Sequence, residues 1–150
     1  MSRRKKSKTG QVLRAAFLGY AVWMLWLLFG QRLGTEVYSQ ELAKSMNLQP
    51  FTTIKHYIAL LDNGNPGLVR HAIINLAGNV FMFIPLGFFL PRIFPKLRSF
   101  FKTLLCCICI IAAVELAQYY SLLGTCDIDD LILNTVGVCI GYLFAIIKQY

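Results

Sequence analysis

Four apolar segments, each close to the length needed to cross a lipid bilayer, constrain this chain more than any other feature. A membrane-spanning helix needs about 20 predominantly apolar residues. The segments run over about residues 15–29, 72–90, 101–123 and 131–147. Because 57% of the 150 residues are hydrophobic, more than is usual in a soluble domain, the sequence predicts an all-α, polytopic membrane protein with one domain over residues 1–150.

The distribution of charge predicts how these segments are oriented. Basic residues without acids occupy the N-terminal tail of residues 1–11, the connection between the second and third segments, and the position Lys148. Cytoplasmic loops of membrane proteins carry an excess of Lys and Arg. We therefore expect both termini to be cytoplasmic and residues 31–71 and 124–130 to lie outside. The net charge of +8 then reports topology and gives no indication of a nucleic-acid partner.

The first outer loop contains one helical pattern. Apolar residues recur at three- and four-residue spacing from Phe51 to Leu61, while Lys55 and His56 fall on another side. Pro50 is suited to the start of such a helix, because the first helical N–H needs no intrahelical partner. A short amphipathic helix of this kind either lies on the outer leaflet or packs as a cap on the membrane-spanning helices. The sequence leaves both alternatives open.

Two of the apolar segments carry polar side chains at similar depth. His71, Asn75 and Asn79 share one face of the second segment, and Glu115 and Gln118 share one face of the third. An ionised carboxylate in the middle of a span costs about 2.5–3.5 kcal/mol on insertion scales. We therefore expect the Glu115 side chain to face the interior of the helix bundle.

The entrance to the fourth segment is the most polar part of the pattern. Asp127, Asp130 and Asn134 are three or four residues apart, so they form one stripe on a helix. The stripe continues as Gly137 and Gly141, a Gly-x-x-x-Gly pair that permits close approach of another helix. At a rise of about 1.5 Å per residue, the polar residues of all three segments fall in the outer half of the bilayer.

We expect these stripes to meet in a polar pocket open to the outside or to the outer leaflet. The alternative is that the amides only join helices, through hydrogen bonds worth about 0.6–2 kcal/mol each. Asp129 lies on another face, and we expect it to be a solvated residue of the first helical turn, where the helix dipole favours a negative charge. The predicted ligand-binding residues are His71, Asn75, Asn79, Glu115, Gln118, Asp127, Asp130 and Asn134.

The same residues carry a resemblance to a known family. The motifs at residues 75–87, 115–118 and 127–142, together with the outer-loop element at 47–51, resemble the VanZ-like family of small bacterial integral membrane proteins. The resemblance implies a multi-pass protein of the bacterial cytoplasmic membrane. The founding member of that family is linked to resistance to the lipoglycopeptide teicoplanin, so the resemblance implies a connection with drug susceptibility, but it implies no reaction.

Three kinds of function fit these observations. The first is a non-enzymatic envelope protein that binds a lipid-linked cell-wall precursor or a lipoglycopeptide at the outer leaflet of the bilayer. The second is an intramembrane enzyme acting on a lipid or cell-wall precursor, with Glu115 as general acid or base and Asp127 with Asp130 as weak candidates for holding a divalent cation. The third is an assembly subunit without a ligand. The spacing of His56 and His71 matches no metalloprotease motif, and the sequence indicates no cofactor.

Overall fold

The computed structural model describes residues 8–30 and 46–147. Within these residues, four helices are long and apolar enough to cross a membrane. They are α1 (Lys8–Leu28), α3 (Pro66–Ile93), α4 (Phe100–Tyr120) and α5 (Ile128–Ile147). The predicted all-α, polytopic membrane fold is confirmed, while the orientation of the helices in a membrane stays a prediction. Residues 1–7 of the predicted tail, residues 31–45 of the outer loop and Lys148 lie outside the described residues.

Two smaller features connect the long helices. A fifth helix, α2 (Thr52–Leu61), precedes α3, and a 3-10 turn, Pro95–Leu97, joins α3 to α4. Two-residue strands, β1 (Met46–Asn47) and β2 (Cys126–Asp127), pair in parallel. This pairing brings the start of α2 next to the start of α5, although some 75 residues separate them in the chain.

The helix boundaries show where local sequence signals act. The side chain of Asn65 caps α3 by accepting the N–H of Gly67 at 2.9 Å, and Pro66 occupies the first helical position. The predicted segment ends at about residue 90, but α3 continues through Pro91 to Ile93. The residue before a proline avoids the helical conformation. Phe94 is accordingly extended before Pro95, and α3 ends there.

Two other boundaries also differ from those expected. The first helix begins at Lys8, within the predicted cytoplasmic tail of residues 1–11. The outer-loop helix α2 begins at Thr52, later than Pro50, because Phe51 has a left-handed backbone with a φ of 66° and precedes the first helical residue. Phe51 has no side-chain capping bond to offer the start of α2, so the exposed N–H groups of that helix need an acceptor from elsewhere in the chain.

Glycines set the contact between α3 and α5. A Cβ atom placed on Gly137 or Gly141 of α5 would collide with the backbone carbonyl oxygens of Val80 and Ile84 of α3. Gly87 of α3 makes an equally close approach to the backbone of α5. The predicted close approach at the Gly-x-x-x-Gly pair is therefore confirmed, and it makes α3 and α5 the central pair of the bundle.

One apolar core lies among the four long helices. The first helix, α1, adds few side chains to this core. The Tyr20 hydroxyl of α1 donates to the backbone oxygen of Met82 of α3 at 2.8 Å, which connects the two helices. The core consists of Met24, Leu28, Phe83, Leu86, Leu90, Cys107, Ile111 and Val138.

The two ends of the bundle differ in chemistry. At one end, which we call the basic end, lie residues 92–102 and the last turn of α5. The Tyr142 hydroxyl of α5 donates to the backbone oxygen of Arg98 at 2.8 Å and so connects α5 to residues 92–102. At the other end lie α2, the two strands and the starts of α3 and α5. That second end carries the three neighbouring aspartates and is the predicted extracytoplasmic end.

Candidate functional site

Asp127 connects three parts of the chain at the predicted extracytoplasmic end. Its Oδ1 accepts the backbone N–H of Asp129 at 2.8 Å, which caps the start of α5. Its Oδ2 accepts the Thr53 hydroxyl of α2 at 2.5 Å. The Asn47 amide of β1 lies 3.3 Å from both carboxylate oxygens and also donates to the Thr53 hydroxyl oxygen at 2.9 Å. Asp127 therefore joins α5 to β1 and α2.

Asp129 caps a helix other than its own. Its Oδ1 accepts the N–H of Phe51 at 2.6 Å and its Oδ2 accepts the N–H of Ile54 at 3.0 Å, so both oxygens bind the start of α2. The unbonded N–H groups at a helix N-terminus carry partial positive charge and favour a carboxylate. The side chain is 0% exposed, so the expectation of a solvated Asp129 is wrong.

Asp130 extends the set of contacts to α3. Its Oδ1 accepts a hydrogen bond from the side-chain amide of Asn79 at 2.5 Å, which connects the first turn of α5 to α3. Together, the carboxylate side chains at positions 127, 129 and 130 bind β1, the start of α2 and α3. We call Asp127, Asp129 and Asp130 the carboxylate junction.

Glu115 and Asn134 lie inside the bundle next to this junction. Glu115 is 7% exposed and Asn134 is 3% exposed, so the predicted inward position of Glu115 is confirmed. Burial raises the pKa of the Cys126 thiol, and the charges of Glu115 and then Asp127 raise it further. Glu115 is therefore close to β2. The Oδ1 of Asn134 is buried and has no hydrogen-bond partner within residues 8–30 and 46–147.

The remaining predicted site residues bind elsewhere. The Gln118 amide donates to the backbone oxygen of Leu28 at 3.1 Å, which holds the end of α1. The Asn75 amide donates to the backbone oxygen of His71 at 2.9 Å, within the same helix. The exposed His71 ring stands edge-on to Tyr57 of α2, with 5.6 Å between the ring centroids. The ligand-binding role of all eight predicted residues stays a prediction.

The helix α2 has both partly buried and exposed apolar side chains. Ile54 and Tyr57 are partly buried where α2 meets the bundle. Phe51 and Ile58 are 51% and 52% exposed, and Lys55 is exposed as well. The contacts with the junction support the alternative in which α2 caps the bundle. Contact between its outer side and a lipid leaflet stays a prediction.

A comparison of the whole chain with known families agrees with the motifs. The family model described as VanZ/LLP1 matches residues 15–149. The chain belongs to the VanZ/LLP1 family. It is 28% identical over 134 residues to "Protein VanZ" of Enterococcus faecium, a match that covers 88% of this chain and 73% of that protein. No solved structure matches the chain.

The VanZ/LLP1 match includes the junction and the residues that bind it. Two of those residues, Asn47 and Thr53, are not among the predicted site residues. Asn47 belongs to the element at 47–51 that carries part of the family resemblance, whereas no motif includes Thr53. The role of Asp129 follows from the structure, in which α2 begins without a capping side chain of its own and so requires an acceptor from elsewhere.

The chemistry of the junction is that of a structural connector. Hydrogen bonds from side chains and backbone already occupy the oxygens of Asp127 and Asp129. In the part of the chain that the structure describes, no three His, Cys, Asp or Glu residues come together as a metal-binding group. What the junction achieves is to fix α2, with its exposed apolar side, over one end of a VanZ/LLP1 bundle.

Proposed function

We propose that this chain is a non-enzymatic protein of the bacterial cytoplasmic membrane that lowers susceptibility to teicoplanin-type lipoglycopeptides. In this proposal α2 contacts a lipid-linked cell-wall precursor, or the lipidated drug itself, at the outer leaflet. Membership of the VanZ/LLP1 family and the similarity to Protein VanZ support the link with the resistance associated with the founding member of the family.

The observation that carries the proposal is the exposed side of α2. Phe51 and Ile58 are about half exposed although they are large and apolar, and Leu48 just before the helix is exposed too. Exposed apolar clusters on a surface that is otherwise polar mark contact sites for membranes or partners. Lys55, about one helical turn from both Phe51 and Ile58, is exposed and adds a positive charge suited to a phosphate group. Because the junction fixes α2 in place, this surface is formed before any ligand arrives.

Drug susceptibility of a sensitive bacterium that produces the chain tests the proposal. We expect the chain to raise the inhibitory concentration of teicoplanin more than that of a glycopeptide lacking the lipid chain. Combined replacement Phe51→Ser and Ile58→Ser removes exposed apolar surface without touching the core, and we expect it to abolish the effect. Ala59→Ser, on the same helix, is the matched control and keeps the effect. Equal susceptibility with and without the chain, at a verified membrane level, would overturn the proposal.

A second candidate is an intramembrane enzyme acting on a lipid or cell-wall precursor. The burial of Glu115 close to β2 favours it, since a buried carboxylate near a polar cluster is suited to acid–base chemistry. The contacts of Asp127 and Asp130 with Thr53 and Asn79 weigh against it, because these carboxylates already serve the fold. Glu115→Gln separates the two candidates. An enzyme loses its effect on the cell when the carboxylate is lost, whereas binding through α2 persists at an unchanged protein level.

A further inference from the structure

At the basic end of the bundle, an open groove of about 520 Å³ lies between α3 and α5. This volume lies within the range of about 300–1,000 Å³ that is typical of sites for small molecules. The lining consists of apolar and aromatic side chains, and two of them, Phe144 and Ile147, are otherwise exposed. The residues that line the groove are Ile84, Pro85, Phe88, Phe89, Phe144 and Ile147.

A fixed cation stands beside this groove. The guanidinium carbon of Arg92 lies 4.5 Å from the centroid of the Phe88 ring, and Phe88 is one of the lining residues. Arg92 also donates from Nη2 and Nε to the backbone oxygen of Ala145, at 2.9 and 3.3 Å. These two bonds use two of the five N–H donors that a guanidinium carries, so the group can hold an anion while its position remains fixed.

The surroundings of Arg92 add further positive charge. Lys96, Arg98 and Lys102 are exposed on the same connection, and residues 92–102 contain no acid. Basic sites between membrane-spanning helices attract the phosphate groups of anionic lipids. An apolar groove with a cation at its edge therefore fits a molecule that combines a hydrocarbon chain with an anionic group.

We propose that this groove binds an anionic phospholipid, with one acyl chain between α3 and α5 and the phosphate against Arg92. The site lies at the opposite end of the bundle from α2 and is independent of the function proposed above. A lipid occupant suits both the apolar lining and the positive charge. A second copy of this chain would have to bring an acidic group to Arg92, and the described acids of this chain all lie toward the other end of the bundle.

Native mass spectrometry of the purified full chain tests this site. The protein is offered equal amounts of phosphatidylglycerol and phosphatidylcholine with identical acyl chains, and we expect it to retain phosphatidylglycerol preferentially. Arg92→Gln keeps a donor for the Ala145 oxygen but removes the charge, and we expect the preference to fall by about fivefold, the contribution of one basic residue near a membrane surface. Ile147→Trp fills the groove and reduces retention of both lipids.

Arg98→Gln is the matched control, because it removes an equal charge from an exposed position that does not line the groove. We expect it to keep the preference for phosphatidylglycerol. Equal retention of the two lipids by the unmodified chain would overturn the proposal. The proposal would also be overturned if Arg92→Gln and Arg98→Gln lowered the preference for phosphatidylglycerol equally, because that result would indicate diffuse electrostatic attraction without a binding site. Protein dimers in place of lipid adducts would assign the groove to a second copy.

Discussion

Asp129 accepts a hydrogen bond of 3.0 Å from the backbone N–H of Ile54, which lies 75 residues earlier in the chain. This bond, together with that from the N–H of Phe51, makes a buried carboxylate of one helix the cap of another. The helix α2 has no capping side chain of its own. Its position therefore depends on α5, and whatever the exposed side of α2 contacts depends on α5 as well.

Asp129→Asn tests this dependence. The amide can accept only one of the two N–H bonds and turns its own NH2 group toward the other, so we expect a loss of about 1.5–3 kcal/mol of stability, the usual value for hydrogen bonds to a charged group. Unfolding in detergent measures the loss, and hydrogen exchange at the amides of Phe51 and Ile54 locates it. Asp62→Asn, at the exposed far end of α2, is the control. Equal stability of the two variants would refute a capping role for Asp129.

The glycines between α3 and α5 lead to a second prediction. Gly141→Ala and Gly137→Ala each place a methyl group against a backbone carbonyl of α3, and we expect each to cost about 1–3 kcal/mol, as overpacking does. Gly78→Ala is the matched control, since a Cβ atom there meets nothing within 4 Å. It gains up to about 1 kcal/mol through helix propensity. Thermal unfolding in detergent compares the three variants, and similar midpoints would contradict the close packing.

Most of the bundle could be predicted from the sequence, for a physical reason. A bilayer requires a fixed length of apolar helix, so the four long helices follow from local composition. The close approach of α3 to α5 at Gly137 and Gly141 could also be predicted from the sequence, because only glycine lets two backbones come so close. The inward position of Glu115 follows from the cost of exposing a carboxylate to lipid. Each of these features depends on a short stretch of chain.

The carboxylate junction could be predicted only in part. The position of Asp129 on its helix suggested solvent, and its burial results from the docking of α2, a contact between distant parts of the chain. Asn47 and Thr53 take part only because β1 pairs with β2. The predicted pocket grouped His71 and Gln118 with the carboxylates from shared helix faces and from depth. Depth places residues at one level but does not say which helices are neighbours.

The pKa of Cys126 gives a third prediction, on the charge of Glu115. Burial first, and then the charges of Glu115 and Asp127, raise the pKa of this thiol above its ordinary value, so little reactive thiolate is present at neutral pH. Glu115→Gln removes one negative charge, and the pKa of Cys126 therefore falls. We expect modification by N-ethylmaleimide to become faster at a fixed, mildly alkaline pH.

Mass spectrometry of the peptide that contains Cys126 follows this reaction while leaving the other cysteines in place. Asp62→Asn removes a remote charge and leaves the rate unchanged. An unchanged rate of Cys126 modification in Glu115→Gln, at normal protein level, would mean that Glu115 is uncharged beside Cys126. A neutral Glu115 would strengthen the case for the intramembrane enzyme, in which this carboxyl group transfers a proton.

The contact between Thr53 and Asp127 gives the last prediction. Thr53→Val keeps the shape of the side chain but removes the hydroxyl that donates to Oδ2 at 2.5 Å. We expect a loss of about 1–3 kcal/mol, because the carboxylate, which is 8% exposed, loses its shortest hydrogen bond and keeps only the Asn47 amide at 3.3 Å from Oδ2. Thr52→Val is the matched control, since Thr52 is adjacent and exposed, and we expect a change within about 0.5 kcal/mol. Combining Thr53→Val with Asn47→Ala then measures cooperation between the two donors. Additive losses would show that each binds Asp127 independently, whereas a smaller combined loss would show that α2 docks onto α5 as a unit.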